Sequence, residues 1–193
     1  PDHKEREVLT LDELTAMTEI KLEDPNMAFA RDLFGFGCWT GISFIDTKNL
    51  TEDKISMING APWIVSKRQK TGVPFQVKLM DIPMRIVERY KPLRKDCHLF
   101  NIGRLDTINK RIKKVAAMCG IKKRISYHVS RHTFAVLSLE YGMPIETVSK
   151  ILGHTNITTT QIYAKVTSSK LEHDISVFES RIKGHLPTMG GMA

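Results

Sequence analysis

The chain of 193 residues carries 29 lysines and arginines against 21 aspartates and glutamates, a formal net charge of +8. Its composition, 41% hydrophobic and 26% charged, is typical of a folded protein with a buried core and excludes a disordered tail. No apolar run approaches the ~20 residues that span a bilayer, and the charged first residues are unlike a signal peptide.

The cysteines and the net charge indicate a compartment and a partner. Cys38, Cys97 and Cys119 are an odd number without a Cys-x-x-Cys pair, so neither a disulfide framework nor a thiolate zinc site is expected. We therefore expect a reducing, cytoplasmic location and no membrane association. The positive charge favours a polyanion such as nucleic acid, although a merely basic protein would have the same composition.

Capping residues and apolar spacing predict a mainly helical α+β chain with one small sheet. A capping box at Thr10 begins a helix over 10–20. Asp24-Pro25 begins a second helix, expected to fade near Gly35, Gly37 and Thr40-Gly41. Further helices are predicted over 44–50, 105–119, 127–141, 145–152, 158–166 and 171–182, with a frayed tail over 186–193. Three antiparallel strands are predicted over 54–58, 63–68 and 75–79, with an Asn59-Gly60 hairpin turn.

The predicted helix over 105–119 has an apolar stripe and a basic face. The stripe consists of Leu105, Ile108, Ile112, Val115 and Cys119, at spacings of 3, 4, 3 and 4. The other faces carry four basic residues, which are Lys110, Arg111, Lys113 and Lys114. Such a run is either a solvated face or a surface that contacts DNA phosphates, and we take it as a candidate DNA-binding surface.

The last seventy residues contain a set of side chains suited to phosphate chemistry. His128 and Arg131 are three residues apart on one helical face, His154 follows a helix end, and Tyr163 comes nine residues later. A tyrosine hydroxyl, with a pKa of about 10, needs a base or a positive field to act as a nucleophile. Arginine and histidine can stabilise the charge that gathers on an attacked phosphodiester. The set therefore suits metal-free transfer of a phosphoryl group to tyrosine.

Each of these residues also has a plainer interpretation. His128 and His132, four residues apart, have the spacing of a zinc pair, but no glutamate follows the first histidine and an arginine stands between them. His154 could bond to carbonyls at a helix end, and Tyr163 could be a core tyrosine. Their joint occurrence at this spacing favours the catalytic interpretation, and we expect neither a metal nor a cofactor.

The succession His-x-x-Arg-His, Leu-Gly-His and Thr-Thr-x-x-x-Tyr resembles the signature of the tyrosine recombinases, or phage-type integrases. The resemblance extends upstream to 38–42 and 70–72, and the residues at 46–50 and 68–72 are most similar to integrases of conjugative transposons and related mobile elements. It implies the tyrosine-recombinase catalytic fold. It also implies a site-specific recombinase that cleaves and rejoins DNA strands through a covalent 3′-phosphotyrosine intermediate.

The resemblance assigns a role to each matching position. Tyr163 would attack the scissile phosphate, and Arg131 and His128 would bind and activate it. His154 would complete the phosphate pocket, and Lys70 would protonate the leaving 5′ oxygen. His132, which follows the arginine in many family members, is expected to be structural.

One position departs from the family pattern. The family's first arginine follows Thr-Gly-x, whereas residues 40–43 here end in serine, and the acidic residue expected three positions later is Asp46. We consider Arg68 the first candidate to replace that arginine, because in an extended strand it shares a face with Lys70. Arg31 is the second, and it requires the helix to bend near 35–37 or to pass beside the pocket.

The resemblance also implies an assembly. We expect residues 1–193 to be the C-terminal catalytic domain of a longer protein, without the family's N-terminal DNA-binding domains. It would be monomeric alone and would act on double-stranded DNA as a homotetramer holding two duplexes. An apolar stripe recurs at spacings of 4, 3 and 4 after Tyr163 and consists of Leu171, Ile175, Phe178 and Ile182. It would dock either on the neighbouring subunit or on its own core.

Two rival functions stay open at this point. The first is a recombinase-fold module that binds DNA but has lost its chemistry, as Ser43 suggests. The second is a type IB topoisomerase, which uses a similar pocket but relaxes DNA as a monomer. The short interval from His154 to Tyr163 favours the recombinase.

Overall fold

The computed structural model describes residues 7–164 and 168–185, with the side chains of 168–169 left aside. The chain divides after Tyr163 into two compact units. The strands of the first unit are β1 (Ile55–Ile58), β2 (Ala61–Lys67) and β3 (Pro74–Lys78). Its helices are α1 (Leu11–Glu19), α2 (Pro25–Thr40), α3 (Phe44–Lys48), α4 (Asp81–Tyr90), α5 (Leu105–Met118), α6 (Tyr127–Glu140), α7 (Ile145–Leu152) and α8 (Thr158–Gln161). The second unit contains α9 (Ser168–Ile182) and a short 3-10 turn, Lys183–His185.

The three strands form an antiparallel sheet in the order β1-β2-β3. Ile64 of β2 pairs with Ile55 on one side and with Val77 on the other. Between β1 and β2, Asn59 and Gly60 adopt φ values of 50° and 76°, as a two-residue hairpin turn requires. The predicted strands are confirmed to within two residues, and the sheet carries the β2–β3 turn that follows Arg68.

Helix α2 ends at the last of the positions predicted for its end. It continues through the two glycines at 35 and 37 and ends at Thr40, with Gly41 (φ 71°) as its C-cap. The glycine at 37 serves a close helix crossing, since a Cβ on Gly37 would lie 2.3 Å from Oγ of Ser130 on α6. Glycine is required there for packing and not for chain reversal.

The core of the first unit lies between α2, α5 and α6 and the inner face of the sheet. The predicted stripe of α5 is confirmed at Ile108, Ile112 and Val115, which are fully buried. Leu105 is 42% exposed, contrary to prediction, because it is the first residue of the helix. Burial of this apolar surface is the main stabilisation of the fold, and it fixes α6 against α2.

The remaining helices agree with the sequence where they are described. The Thr10 capping box is present, with Thr10 and Glu13 each accepting the other's backbone N–H. Helix α8 is shorter than the predicted 158–166, whose end lies partly outside the described residues, as does the predicted tail over 186–193. Within the described ranges, we found no helix long and apolar enough to cross a lipid bilayer.

Candidate active site

Helix α6 places Arg131 between the carboxyl ends of two other helices. Its side chain is buried, and it donates through Nη1 to the carbonyl of Gly41 (2.7 Å) and through Nη2 to the carbonyl of Leu152 (2.6 Å). Gly41 caps α2, and Leu152 is the last residue of α7. Carbonyls at the C-terminus of a helix carry partial negative charge, so they hold the guanidinium without neutralising it.

The charge of Arg131 is therefore incompletely compensated. Burial lowers its pKa to about 10, and the neighbouring charge of Arg68 contributes in the same direction. The group still carries its proton at neutral pH. A buried cation that hydrogen-bonds to carbonyls rather than to a carboxylate is stabilised by an incoming anion.

Arg68 reaches the same carbonyl from the sheet. It follows β2, donates through Nη1 to the carbonyl of Leu152 (2.8 Å) and through Nε to Oδ2 of Asp46 (2.6 Å). A Cβ at residue 153 would lie 2.9 Å from its Cγ, so Gly153 leaves room for the arginine stem. We call Arg68, Arg131 and the Leu152 carbonyl the arginine pocket.

Asp46 holds Arg68 with the help of Ser43. The buried carboxylate also accepts the hydroxyl of Ser43 (2.5 Å) and the backbone N–H of Gln69 (2.7 Å). Ser43 is the N-cap of α3. The serine at the position of the family's first arginine therefore binds the carboxylate that positions a different arginine.

Arg31, the second candidate, does not join this pocket. Its Nε donates to Asp32 (2.6 Å) and its Nη1 to the carbonyl of Ile20 (2.7 Å), at the end of α1. Because α2 is continuous, Arg31 lies about 15 Å along the helix from Gly41. The bend near 35–37 that would let Arg31 reach the pocket does not occur, and Arg68 is the arginine that meets Arg131.

His154 lies just beyond α7, after Gly153 with a φ of 62°. Its Nδ1 is 2.7 Å from Oγ1 of Thr160. Burial, together with the charges of Arg131 and Arg68, lowers its pKa to about 4. The ring is therefore neutral at neutral pH and lies in the field of both arginines. No feature of the sequence distinguishes Thr160 from the neighbouring Thr158 and Thr159.

The tyrosine predicted as nucleophile lies beside α6. The hydroxyl of Tyr163 is hydrogen-bonded to Nδ1 of His132, and the two ring centroids are 5.3 Å apart. The rings of His128 and His132 are 4.2 Å apart. His132, expected to be structural, thus contacts the hydroxyl, and its place directly after Arg131 was the signal available in the sequence.

The other tyrosines are poorly placed for this chemistry. Tyr127 is fully buried against Thr47, and burial raises its pKa. Tyr90 donates to Asp32, and Tyr141 is 72% exposed at the end of α6. Among these four, Tyr163 is the tyrosine whose hydroxyl is hydrogen-bonded to a residue adjacent to Arg131.

The remaining predicted residues lie outside the pocket contacts. Lys70 is exposed in the β2–β3 turn and has no hydrogen bond or ion pair with the described residues. Lys110, Lys113 and Lys114 are exposed on α5, and Arg111 is half-buried. The structure thus places Lys70 two residues beyond Arg68, in the turn that the backbone N–H of Gly72 closes by donating to the carbonyl of Arg68 (2.8 Å).

Three possible metal ligands lie in a separate segment. Side-chain atoms of Asp96, Cys97 and His98 are all within 4.8 Å of one another. The Asp96 carboxylate already accepts the backbone N–H of His98 and contacts its Nδ1, each at 2.8 Å. None of the three belongs to the arginine pocket.

Comparison with known proteins identifies the family. The chain matches the phage integrase family over residues 7–170. It belongs to that family. This phage integrase family member is 28% identical over 192 residues to tyrosine recombinase XerD of Staphylococcus aureus (strain Mu50), covering 93% of this chain and 65% of the relative. It is 47% identical over 60 residues to a tyrosine recombinase of Pseudothermotoga lettingae, covering 31% of this chain and 21% of that protein. The chain thus spans less than two thirds of these relatives.

Solved structures confirm the predicted fold. The XerH recombinase in a post-cleavage complex with palindromic difH substrate superposes with a TM-score of 0.74 at 21% identity, over 91% of this chain and 54% of that one. The Tn1549 transposon integrase with circular intermediate DNA gives a TM-score of 0.69 at 16% identity, over 92% and 67%. The α+β chain with its three-stranded sheet is therefore a tyrosine-recombinase catalytic fold.

Proposed function

We propose that this chain is the catalytic domain of a site-specific DNA recombinase that forms a covalent 3′-phosphotyrosine link through Tyr163. The observation that carries the proposal is the convergence of buried Arg131 and half-buried Arg68 on one carbonyl, beside His132, which is hydrogen-bonded to the tyrosine hydroxyl. The relatives and neighbours named above are tyrosine recombinases and a transposon integrase, and two of the solved structures are complexes with DNA.

The cleavage step follows from the charges in the pocket. Tyr163 Oη attacks the phosphorus, its proton passes to a neighbouring imidazole such as His132, and the bond to the 5′ oxygen breaks. Lys70 protonates that oxygen. The phosphate gathers negative charge on its equatorial oxygens, which Arg131 and Arg68 neutralise while His128 and His154 donate hydrogen bonds. In rejoining, a 5′-hydroxyl attacks the phosphotyrosine and the protons return.

Arg68 takes the role of the family's first arginine in this proposal. The rival interpretation, a DNA-binding module without chemistry, is based on the loss of that arginine at Ser43. Arg68 supplies a guanidinium to the carbonyl that Arg131 also contacts, and Asp46 keeps it there. The pocket therefore contains two arginines, although the second follows strand β2 and does not occupy the position of Ser43. This arrangement supports an active enzyme.

Substrate, assembly and location extend the same proposal. The substrate is double-stranded DNA, contacted by Lys110, Arg111, Lys113 and Lys114 and by the β2–β3 turn, in the cytoplasm. The active form is a homotetramer on two duplexes, and residues 1–193 are one catalytic domain that is monomeric alone. Leu171, Ile175 and Phe178 of α9 are each more than half exposed, which suits a helix that packs on another subunit.

The experiment is adduct formation on a nicked suicide substrate. Wild-type protein should accumulate a covalent complex that peptide mapping assigns to Tyr163. Tyr163→Phe should bind the same DNA without forming the complex, because it lacks the attacking oxygen. Tyr141→Phe is the matched control, since it removes an exposed hydroxyl from the end of α6 and should leave the adduct unchanged. An adduct formed by Tyr163→Phe would overturn the assignment.

A further inference from the structure

Thr160 has an unusual position for a threonine in a short surface helix. It is fully buried, whereas its neighbours Thr158 and Thr159 are exposed. Its hydroxyl lies 2.7 Å from Nδ1 of His154, which is its one side-chain hydrogen bond within the part of the chain that is described. A buried hydroxyl that has an acceptor within reach donates to it.

The direction of this hydrogen bond determines the chemistry of the ring. A neutral imidazole carries one N–H donor and one acceptor nitrogen. If Nδ1 accepts the Thr160 proton, the ring proton is on Nε2, at the opposite edge. Burial and the two arginines lower the pKa of His154 to about 4, so the ring must act through this single proton at neutral pH.

We propose that Thr160 is a positioning residue that fixes the Nε2–H tautomer of His154, so that the ring presents a donor to the scissile phosphate. The alternative Nδ1–H tautomer would turn a lone pair toward the phosphate oxygens and repel them. The positioning also involves the nucleophile, because the carbonyl of Thr160 accepts the backbone N–H of Tyr163 (3.0 Å). Thr160 thus fixes the protonated nitrogen of His154 through its hydroxyl, and its carbonyl binds the segment that carries Tyr163.

The phosphate role of His154 depends on the proposed function, but the tautomer is measurable without DNA. Long-range ¹H–¹⁵N spectra of the imidazole rings distinguish a protonated nitrogen from an unprotonated one. The signals of His154 among the seven histidines are those that vanish in His154→Gln. Wild-type protein should show an unprotonated Nδ1 and a protonated Nε2.

Three variants at neighbouring positions complete the test. Thr160→Val keeps the shape but removes the hydroxyl, and it should populate the Nδ1–H tautomer and slow adduct formation roughly 10- to 100-fold, the usual range for a partner that orients an active-site histidine. Thr160→Ser should restore both readouts. Thr159→Val is the matched control on the exposed face and should change neither.

The spectra test the tautomer of His154, and the cleavage assay also tests the proposed function, so the two claims can be contradicted separately. A wild-type ring protonated on Nδ1 would overturn the inference, as would wild-type tautomer and cleavage in Thr160→Val. If the valine variant does not fold, Thr160→Ala provides the same comparison with a smaller side chain. Absence of an adduct from wild type itself would overturn the proposed function, while the spectra would still decide the tautomer.

Discussion

Two sites in the first unit each combine two arginines with one buried aspartate, and they differ in how the charges are paired. We call Arg31, Asp32, Arg89 and Tyr90 the Asp32 cluster. There both guanidiniums donate to the carboxylate, at 2.6 Å and 2.7 Å, and Tyr90 adds a third donor. At the arginine pocket, Asp46 accepts from one guanidinium, that of Arg68, and the described partners of the Arg131 guanidinium are carbonyls.

The pKa shifts have opposite signs at the two sites. Hydrogen bonding to Asp32 raises the pKa of Arg89, whereas burial and a neighbouring cation lower that of Arg131. Both sites have two guanidiniums and one carboxylate, so they differ in pairing and not in net charge. Both guanidiniums of the Asp32 cluster donate to the carboxylate, whereas Arg131 donates to carbonyls. In the proposed function, a DNA phosphate supplies the anionic partner that the described residues do not give Arg131.

Removal of the Asp32 carboxylate should have the largest effect on stability. Asp32→Ala leaves Arg31 buried without its partner, which destabilises a protein by about 3–5 kcal/mol. Urea unfolding followed by circular dichroism measures the change. Adduct formation per folded molecule should stay near wild type. A variant with normal stability and no cleavage would instead place Asp32 in the chemistry.

Loss of Arg68 should act on cleavage as well as on stability. Arg68→Ala should slow adduct formation per folded molecule at saturating DNA by roughly 10²- to 10³-fold, as expected for one donor to a developing charge. It should also lower stability, because buried Asp46 loses its guanidinium partner. Arg31→Ala is the control and should lower stability while leaving cleavage near normal. Normal cleavage by Arg68→Ala beside inactive Arg31→Ala would transfer the role to α2.

Ser43→Arg in the Arg68→Ala background makes this comparison more specific. The new side chain would start next to Asp46, which then lacks its guanidinium partner, so partial recovery of cleavage is expected. The recovery is measured as the rate of adduct formation by the double variant, compared with that of Arg68→Ala. No recovery would indicate that the space near Ser43 is closed to an arginine.

The basic face of α5 represents a third kind of positive charge, exposed and without a buried carboxylate. Replacing one DNA-contacting lysine among Lys110, Lys113 and Lys114 should weaken binding to all DNA sequences about equally. It should also reduce the slope of log binding constant against log salt concentration by roughly one unit. Titrations at several salt concentrations measure the slope. An unchanged slope for all these variants and for Arg111→Ala would make the run a solvated face.

The smallest effect expected is a pH dependence of stability from His154. Its pKa is about 4 in the folded protein and about 6.5 in an unfolded chain. The unfolded state therefore binds the proton more readily, and stability should fall as the pH drops from about 6.5 toward 4. His154→Gln should flatten this part of the profile of urea midpoints against pH. Equal slopes in both proteins would contradict the shift.

Local signals explain what the sequence could predict. Asn59 and Gly60 specify a hairpin because they tolerate positive φ, and Thr10 specifies a helix start because its hydroxyl caps the backbone. The end of α2 was left open between Gly35 and Gly41, because Gly37 packs against Ser130, which lies on a helix more than ninety residues later in the chain. A propensity does not report such a contact.

Some residues of the candidate site could also be predicted from the sequence, and others could not. The order of His128, Arg131, His154 and Tyr163 was readable from the sequence because the family motif is short and ordered. The convergence of Arg68 with Arg131 was proposed only from strand geometry, since their shared partner is a backbone carbonyl that carries no sequence signature. Thr160 was missed because Thr158, Thr159 and Thr160 look alike until α8 buries one of them.

The Leu152 carbonyl, which Arg68 and Arg131 share, limits what mutagenesis can reveal about the pocket. The oxygen of Leu152 belongs to the main chain, so every substitution at that position retains it. A survey of side-chain variants, or a record of which residues evolution accepts at position 152, would therefore describe only the packing of the leucine. The group that aligns both guanidiniums is invisible to mutagenesis by ordinary amino acids. It becomes testable when a backbone ester between Leu152 and Gly153 weakens the carbonyl as an acceptor.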